Sequence, residues 1–174
     1  MEWTGACYAD KPTVHVETYV DAPPSVVWRL VTDVERMPEM STELQRVEWE
    51  TGVSEPRVGA RFTGYSSHPA FGEWHTTSHV IECSEPRVFA WAVADPENPA
   101  AVWRFTLQPR GGGTLLRQWA QLGPGRSGLS VAIDRMPEKE QKIVFVRLRE
   151  FEANMKATLA AIKQRAESRS GAEA

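Results

Sequence analysis

The sequence predicts an α+β fold in which one curved antiparallel sheet of about seven strands wraps around a single long C-terminal helix. Three observations support this prediction. A first strand is followed by two short helical pieces, the middle of the chain is a succession of short strands, and the last third carries one long apolar stripe at helical spacing. Only one helix is long enough to cover the concave face of such a sheet, and the space between them is typical of a ligand cavity.

The first strand and the helix after it are marked by a change of hydrophobic period. Residues 13–20 alternate at period two, as in a half-buried strand. The pair Pro23–Pro24 then suits the first turn of a helix, and apolar residues recur at helical spacing from Val26 to Val34. Pro38 interrupts this pattern, so a second, short helical piece is expected there.

The middle of the chain is predicted to be an antiparallel meander. Its runs are rich in Val, Phe, Trp and Thr and are separated by Gly, Pro and Asn at intervals of roughly 8 to 15 residues. Gly111–Gly113 is predicted to be a hairpin turn, because glycine readily adopts the positive φ that such turns require. The predicted strands are 43–50, 60–67, 73–83, 86–94, 101–108 and 114–122.

The last third is predicted to be helical. From Val144 to Ile162, apolar residues recur every three or four positions and form one stripe. Asp134 either caps this helix or belongs to a shorter helix that begins after Ser127. We expect one domain over 1–174, with a core at about 13–165 and loose ends at 1–12 and 167–174.

Composition limits the classes of partner. The 174-residue chain has 20 Lys and Arg against 23 Asp and Glu, a formal net charge of −3, so a nucleic-acid partner is not expected. The sequence has no stretch of about 18 apolar residues, so no stable membrane insertion is expected. The first residues lack a signal-peptide pattern and the two cysteines, Cys7 and Cys83, form no disulfide framework, so we expect a cytoplasmic protein. Whether it is a monomer or a homodimer is left open.

Two patterns that suggest cofactors fail on their context. Gly123–Gly128 matches GxGxxG, but no βαβ unit follows, so a flexible connection between sheet and helix is predicted instead. His75 and His79 are four residues apart on a predicted strand, or about 13 Å, which is too far to share an ion. We therefore expect no metal, no nucleotide and no other cofactor.

Several short motifs are similar to those of a known superfamily. They are the segment 16–28, Asp33 with Pro38, Val58–Phe62, Glu85–Trp91 and Gly112–Thr114. On these motifs the chain resembles the START-like or SRPBCC superfamily, in particular its polyketide cyclase/dehydrase-like branch, over roughly residues 13–165. The resemblance implies a helix-grip fold and a pocket for a hydrophobic small molecule such as a lipid, steroid, polyketide or aromatic metabolite. Members of the superfamily include carriers, sensors, aromatase/cyclases and co-chaperones, so fold alone does not select a function.

The phase of each strand decides which side chains face the helix. In strand 73–83, the phase with Val80 inward is preferred; it also brings Trp74, Thr76 and Ser78 inward, whereas the other phase brings His75, His79 and Ile81. Strand 114–122 leaves two phases open. One brings Trp119 and Arg117 inward, and the other brings Leu116, Ala120 and Leu122.

The main functional prediction is the binding of a hydrophobic or aromatic small molecule between sheet and helix. Seven tryptophans, more than the Phe or Tyr residues, either line such a cavity or fill the sheet's interior. The alternatives are a polyketide cyclase, aromatase or dehydratase acting by containment and acid–base catalysis, for which Arg117, Ser78 and His79 are the catalytic candidates, and a protein-interaction module. The predicted ligand-binding residues are Phe62, Trp74, Thr76, Phe89, Trp91, Trp103, Phe105, Trp119, Phe151 and Met155.

Overall fold

The computed structural model describes residues 2–53 and 55–170 and confirms the predicted architecture of one curved antiparallel sheet with a long C-terminal helix. The sheet order is β1-β7-β6-β5-β4-β3-β2, so the first strand of the chain pairs with the last one. All neighbouring strands are antiparallel. The strands are β1 Thr13–Val20, β2 Leu44–Trp49, β3 Arg61–His68, β4 Gly72–Ser84, β5 Val88–Val93, β6 Ala101–Arg110 and β7 Gly113–Leu122.

Three α-helices accompany the sheet: α1 Pro24–Thr32, α2 Gly128–Arg135 and α3 Glu140–Ser170. A 3₁₀ helix, Val34–Met40, follows α1 and contains Pro38, so the two short helical pieces after β1 are confirmed. The shorter helix after Ser127 is also present as α2. Asp134 belongs to that helix and accepts a hydrogen bond from Arg126 at 2.5 Å.

The core lies between the concave face of the sheet and the apolar stripe of α3. On β1, Val14, Val16 and Val20 alternate with exposed residues and are buried, as period two requires. The apolar stripe on α3 is buried as well. Its buried members are Val144, Leu148, Phe151, Met155, Leu159 and Ile162, all 7% exposed or less.

Residues near both ends of the described chain make tertiary contacts. Tyr8 is buried, and its hydroxyl lies 2.8 Å from the Gly125 carbonyl and 3.1 Å from the Ala100 carbonyl. At the other end the helix continues to Ser170, and the Asp21 backbone N–H donates to Glu167 Oε1 at 2.9 Å. These tertiary contacts hold segments whose local sequence lacks an apolar pattern. Residues 171–174 lie outside the described residues.

In the glycine-rich segment 123–128, Gly123 and Gly125 pack closely against the backbone of residues 98–100, an arrangement that the sequence did not predict. Gly123 has φ +68° and its N–H donates to the Ala100 carbonyl at 2.8 Å. The N–H of Gly125 donates to the Pro99 carbonyl, also at 2.8 Å. A Cβ on Gly125 would lie only 2.0 Å from the Asn98 carbonyl oxygen. The glycine spacing therefore serves close backbone packing.

The helices of the described residues include none that combines the length and the apolar character needed to cross a bilayer. The hairpin between β6 and β7 is formed as predicted, with Gly111 at φ +55° and Gly112 at φ +87°.

Candidate functional site

Aromatic side chains cover the concave face of β5 and β6. Phe89 faces Phe105 across the two strands, and Trp91 faces Trp103. Since alternate residues of a strand share a face, these four rings lie side by side. The rings of Trp91 and Trp103 are stacked with centroids 6.5 Å apart, and Phe105 lies 6.0 Å from Trp91.

The same group of rings extends to β3 and to α3. Phe62 on β3 makes an edge contact with Trp91 at 5.9 Å. Phe151 on α3 lies 4.6 Å from Trp103, so Trp103 joins the sheet to the helix. We call Phe62, Phe89, Trp91, Trp103, Phe105 and Phe151 the aromatic cluster. All its members are buried except Trp103, which is half-buried.

The position of α3 explains why this half of the sheet carries large side chains. The backbone of α3 runs closest to β1, and then to β7, while α1 approaches β6 and β7. Over β3, β4 and β5 the interior is therefore occupied by side chains. The aromatic cluster fills the space between the far half of the sheet and the helix.

The preferred phase of β4 agrees with the structure. Ser78 and Val80 are buried, and Ser78 lies opposite Phe62 of β3 on the concave face. Trp74 and Thr76 share this face and are half-buried. His79 has the opposite phase and lies on the convex face, opposite Arg61 and Ala92.

On β7 the structure has the second of the two open phases. Leu116, Ala120 and Leu122 are buried, so Arg117 and Trp119 lie on the convex face and outside the aromatic cluster. This corrects the inward placement of both residues.

This phase keeps the charge of Arg117 on the outer surface, where it forms an ion pair, and avoids the cost of burying it. Arg117 lies directly opposite Glu17 of β1 and donates from Nη2 to Glu17 Oε2 at 2.8 Å. The hydrogen bonds and charge of Arg117 lower the pKa of that carboxyl. Both side chains remain about half exposed, so the charges keep their hydration.

The sequence-based prediction missed Gln118, which is a buried polar residue on the concave face. It is 6% exposed and lies between Phe105 of β6 and Val16 of β1 in the strand registers. Its Oε1 has no hydrogen-bond partner within the described ranges 2–53 and 55–170. The alternation of Leu116, Gln118 and Ala120 was the signal that could have identified it.

A charged cluster at one end of the interior was also missed. Arg147 on α3 has a side chain only 10% exposed and donates from Nη2 to Glu43 Oε1 at 2.5 Å and from Nη1 to Glu43 Oε2 at 2.9 Å. Its Nη1 also donates to Glu150 Oε2 at 2.9 Å. Glu150 in turn lies 3.4 Å from His68 Nε2 at the end of β3. We call these four residues the Arg147 cluster.

The Arg147 guanidinium also lies over aromatic rings. Its Cζ is 4.6 Å from the Phe151 ring centre and 5.6 Å from that of Phe71 in the β3–β4 hairpin. Burial opposes the charge, but the hydrogen bonds and charges of Glu43 and Glu150 outweigh it and raise the pKa of Arg147 above its ordinary value. The cluster thus fixes the hairpin and the start of β2 to α3 beside the aromatic cluster.

Two surface cavities lie elsewhere. One, of about 580 Å³, is bordered by Arg29 and Asp33 of the α1 end and by Trp49 and Glu50 after β2. The other, of about 310 Å³, lies along β2, β3 and β4 and includes Trp74. Both have polar and charged walls, unlike the aromatic cluster.

The two cysteines, Cys7 and Cys83, lie outside the aromatic cluster. Desolvation raises the pKa of the Cys7 and Cys83 thiols, which disfavours the reactive thiolate. No group of three His, Cys, Asp or Glu side chains suited to a metal ion occurs in the part of the chain that the structure describes. Of the three catalytic candidates, Ser78 lies on the concave face, whereas Arg117 and His79 do not.

Comparison with known proteins gives a family. The chain matches the family model for polyketide cyclase / dehydrase and lipid transport over residues 11–167. No curated protein compared with it gives a significant match. Among solved structures, the Polyketide_cyc-like protein Cgl2372 from Corynebacterium glutamicum is 29% identical, with a TM-score of 0.62 and coverage of 89% of this chain and 91% of that one.

Two more distant structures show the same fold. The di-domain ARO/CYC StfQ from the steffimycin biosynthetic pathway is 17% identical, with a TM-score of 0.70 over 91% of this chain and 51% of StfQ. This chain thus corresponds to about half of StfQ. Ginseng major latex-like protein 151 from Panax ginseng is 13% identical, with a TM-score of 0.52 over 64% of this chain and 78% of that one.

Proposed function

The chain belongs to the polyketide cyclase / dehydrase and lipid transport family, and from this premise we propose that it binds a hydrophobic or aromatic small molecule between the concave face of the sheet and α3. The observation that carries the proposal is the aromatic cluster, which fills the space between α3 and the strands that the helix backbone does not approach closely. Its rings offer apolar surface to a ligand of similar chemistry.

Binding requires the cluster to open, because its rings are in mutual contact. Trp103 contacts Trp91 and Phe151, and each aromatic pair is worth about 0.5–1.5 kcal/mol beyond burial. The apolar surface that a ligand buries offsets the ring contacts that are lost. The half-buried Trp103 is the ring whose displacement makes room for a ligand.

The second candidate function is a cyclase or dehydratase, which the family description favours. On the concave face, Ser78 and Gln118 supply a hydroxyl and an amide that can orient a ligand. Arg117 and His79, the other catalytic candidates, face outward. These residues therefore support the containment of a flexible ligand better than they support acid–base catalysis.

Tryptophan emission tests the proposal. Titration with 1-decanol as a neutral lipid-like probe is expected to change the emission of the wild-type protein, because Trp91 and Trp103 exchange ring contacts for contacts with the alkyl chain. The ligand-induced change in emission is expected to fall by at least about half in Trp103→Phe, because this variant lacks the tryptophan that contacts Phe151 of α3.

Trp119→Phe is the matched control, because Trp119 lies on the convex face. It is expected to keep the full response. No response to 1-decanol, together with no heat of binding for 2-naphthol as an aromatic probe, would refute the proposed function.

A further inference from the structure

We infer that Gln118 determines the specificity of this site, with Oε1 accepting a hydrogen bond from a hydroxyl or N–H group of an otherwise apolar ligand. The inference rests on the proposed function and adds a chemical class to it. The ligand class is a neutral, hydroxylated aromatic or lipid-like molecule.

The first argument is the missing partner of a buried polar atom. Gln118 is 94% buried, and its Oε1 accepts no hydrogen bond from the residues that the structure describes. Buried polar side-chain atoms nearly always have a partner, because an unpaired one loses its hydration without compensation. Thr114 illustrates the rule on the same strand, since its buried hydroxyl donates to the Ala22 carbonyl at 2.8 Å.

The second argument is the surroundings of the amide. Its neighbours along the concave face are Leu116 and Ala120, which are fully buried and apolar. Across the strands it lies opposite Phe105 and Val16. An aliphatic side chain would fill the same position without an unpaired oxygen, so packing alone does not account for a glutamine.

The third argument is proximity to the proposed site. Phe105, directly opposite Gln118, belongs to the aromatic cluster and lies 6.0 Å from Trp91. A ligand that enters between these rings brings its edge next to the amide oxygen. The oxygen then gains the hydrogen bond that the protein does not provide.

The unpaired amide oxygen of Gln118 favours ligands that carry a hydrogen-bond donor. A carbonyl-type oxygen accepts a hydrogen bond from a phenol, an alcohol or an N–H group. A carboxylate has only acceptor atoms and would leave Gln118 Oε1 unpaired while burying a charge. Neutral donors are therefore favoured over fatty-acid anions at this position.

The test compares 2-naphthol with 2-methylnaphthalene, which has a methyl group in place of the hydroxyl. Dissociation constants are measured by calorimetry for the wild type and for Gln118→Met, which keeps the length of the side chain and removes the amide. We expect the preference for 2-naphthol over 2-methylnaphthalene to fall about tenfold in the variant, the value of one hydrogen bond.

Gln121→Met is the control, because Gln121 has the opposite phase on β7 and its Nε2 donates to the Gly123 carbonyl at 3.0 Å. It is expected to keep the wild-type preference. Binding of both probes with the same preference in wild type and Gln118→Met overturns the role of Gln118 and leaves the proposed function standing. Failure of both probes to bind the wild type overturns the proposed function itself.

A thermal melt of each variant shows whether it is folded. Gln118→Met is expected to melt no lower than the wild type, because it removes the unpaired oxygen.

Discussion

Replacing Arg147 with methionine is expected to lower the free energy of unfolding by about 3–5 kcal/mol, the usual cost of removing one partner of a buried ion pair. The substitution leaves the carboxylate of Glu43, whose side chain is only 17% exposed, without its two hydrogen bonds from the guanidinium. It also removes the ion pair between Arg147 and Glu150 and the guanidinium that lies over the Phe151 ring. Denaturant unfolding of both proteins measures the difference.

Arg165→Met provides the matched control for this prediction. Arg165 lies on the same helix and also pairs with a glutamate, Glu39, at 2.7 Å. That pair is more exposed to water, so its loss is expected to cost a small fraction of the effect at Arg147. Equal losses in the two variants would contradict the assignment of the Arg147 cluster as a buried ion pair.

The substitution Gly125→Ala is expected to destabilise the protein by about 3 kcal/mol, the upper end of the range for overpacked sites. The added Cβ would lie 2.0 Å from the Asn98 carbonyl oxygen and 2.8 Å from the Pro99 carbonyl carbon. Both atoms belong to the backbone, so the loop must move as a whole. The movement would also strain the Gly125 N–H bond to the Pro99 carbonyl and the contact of Tyr8 with the Gly125 carbonyl.

Gly128→Ala is the matched control, because it also replaces a glycine of this segment but adds a Cβ where there is open space. A Cβ at Gly128 meets no described atom within 4 Å, and the residue begins α2. This variant is expected to leave the free energy of unfolding unchanged or to raise it by up to about 1 kcal/mol, because alanine favours helix. Comparable destabilisation by the two substitutions, measured by denaturant unfolding, would refute the packing explanation of the glycine-rich loop.

The sequence predicts those parts of the fold that depend on local periodicity. The strand at 13–20 alternates cleanly, and the stripe from Val144 to Ile162 has one apolar face, so both were identified correctly. In β4 the phase with Val80 inward was preferred, and Val80 is buried. Each of these signals lies within one element and requires no knowledge of its neighbours.

The phase of β7 could not be chosen from its own sequence. Leu115 and Trp119 on one face are as hydrophobic as Leu116 and Ala120 on the other. The observed phase keeps Arg117 outside the interior and opposite Glu17, which becomes its neighbour only after β1 pairs with β7, about 100 residues apart in the chain. Non-local pairing therefore determined which side chains reach the interior.

The Arg147 cluster and Gln118 illustrate a second limit. Arg147 is a charged residue within a helix whose other charges are mostly exposed, and only the folded chain brings Glu43 to it. Gln118 is distinguished from a surface glutamine by its neighbours on the adjacent strands, Val16 and Phe105. The burial of Arg147 follows from tertiary structure, whereas the alternation along β7 reveals the burial of Gln118 only once the phase of that strand is known.

The most direct test of the central claim is ¹⁹F NMR of the protein labelled with 5-fluorotryptophan and titrated with 2-naphthol. Five of the seven tryptophans report on three kinds of place: Trp91 and Trp103 on the aromatic cluster, Trp49 and Trp74 on the two surface cavities, and Trp119 on the convex face. Signals are assigned by single Trp→Phe variants.

Binding within the aromatic cluster predicts that the Trp91 and Trp103 resonances shift in parallel with saturation while the Trp119 resonance stays in place. Saturable shifts confined to Trp49, Trp74 or Trp119, with Trp91 and Trp103 unmoved, would place the ligand elsewhere and contradict the account.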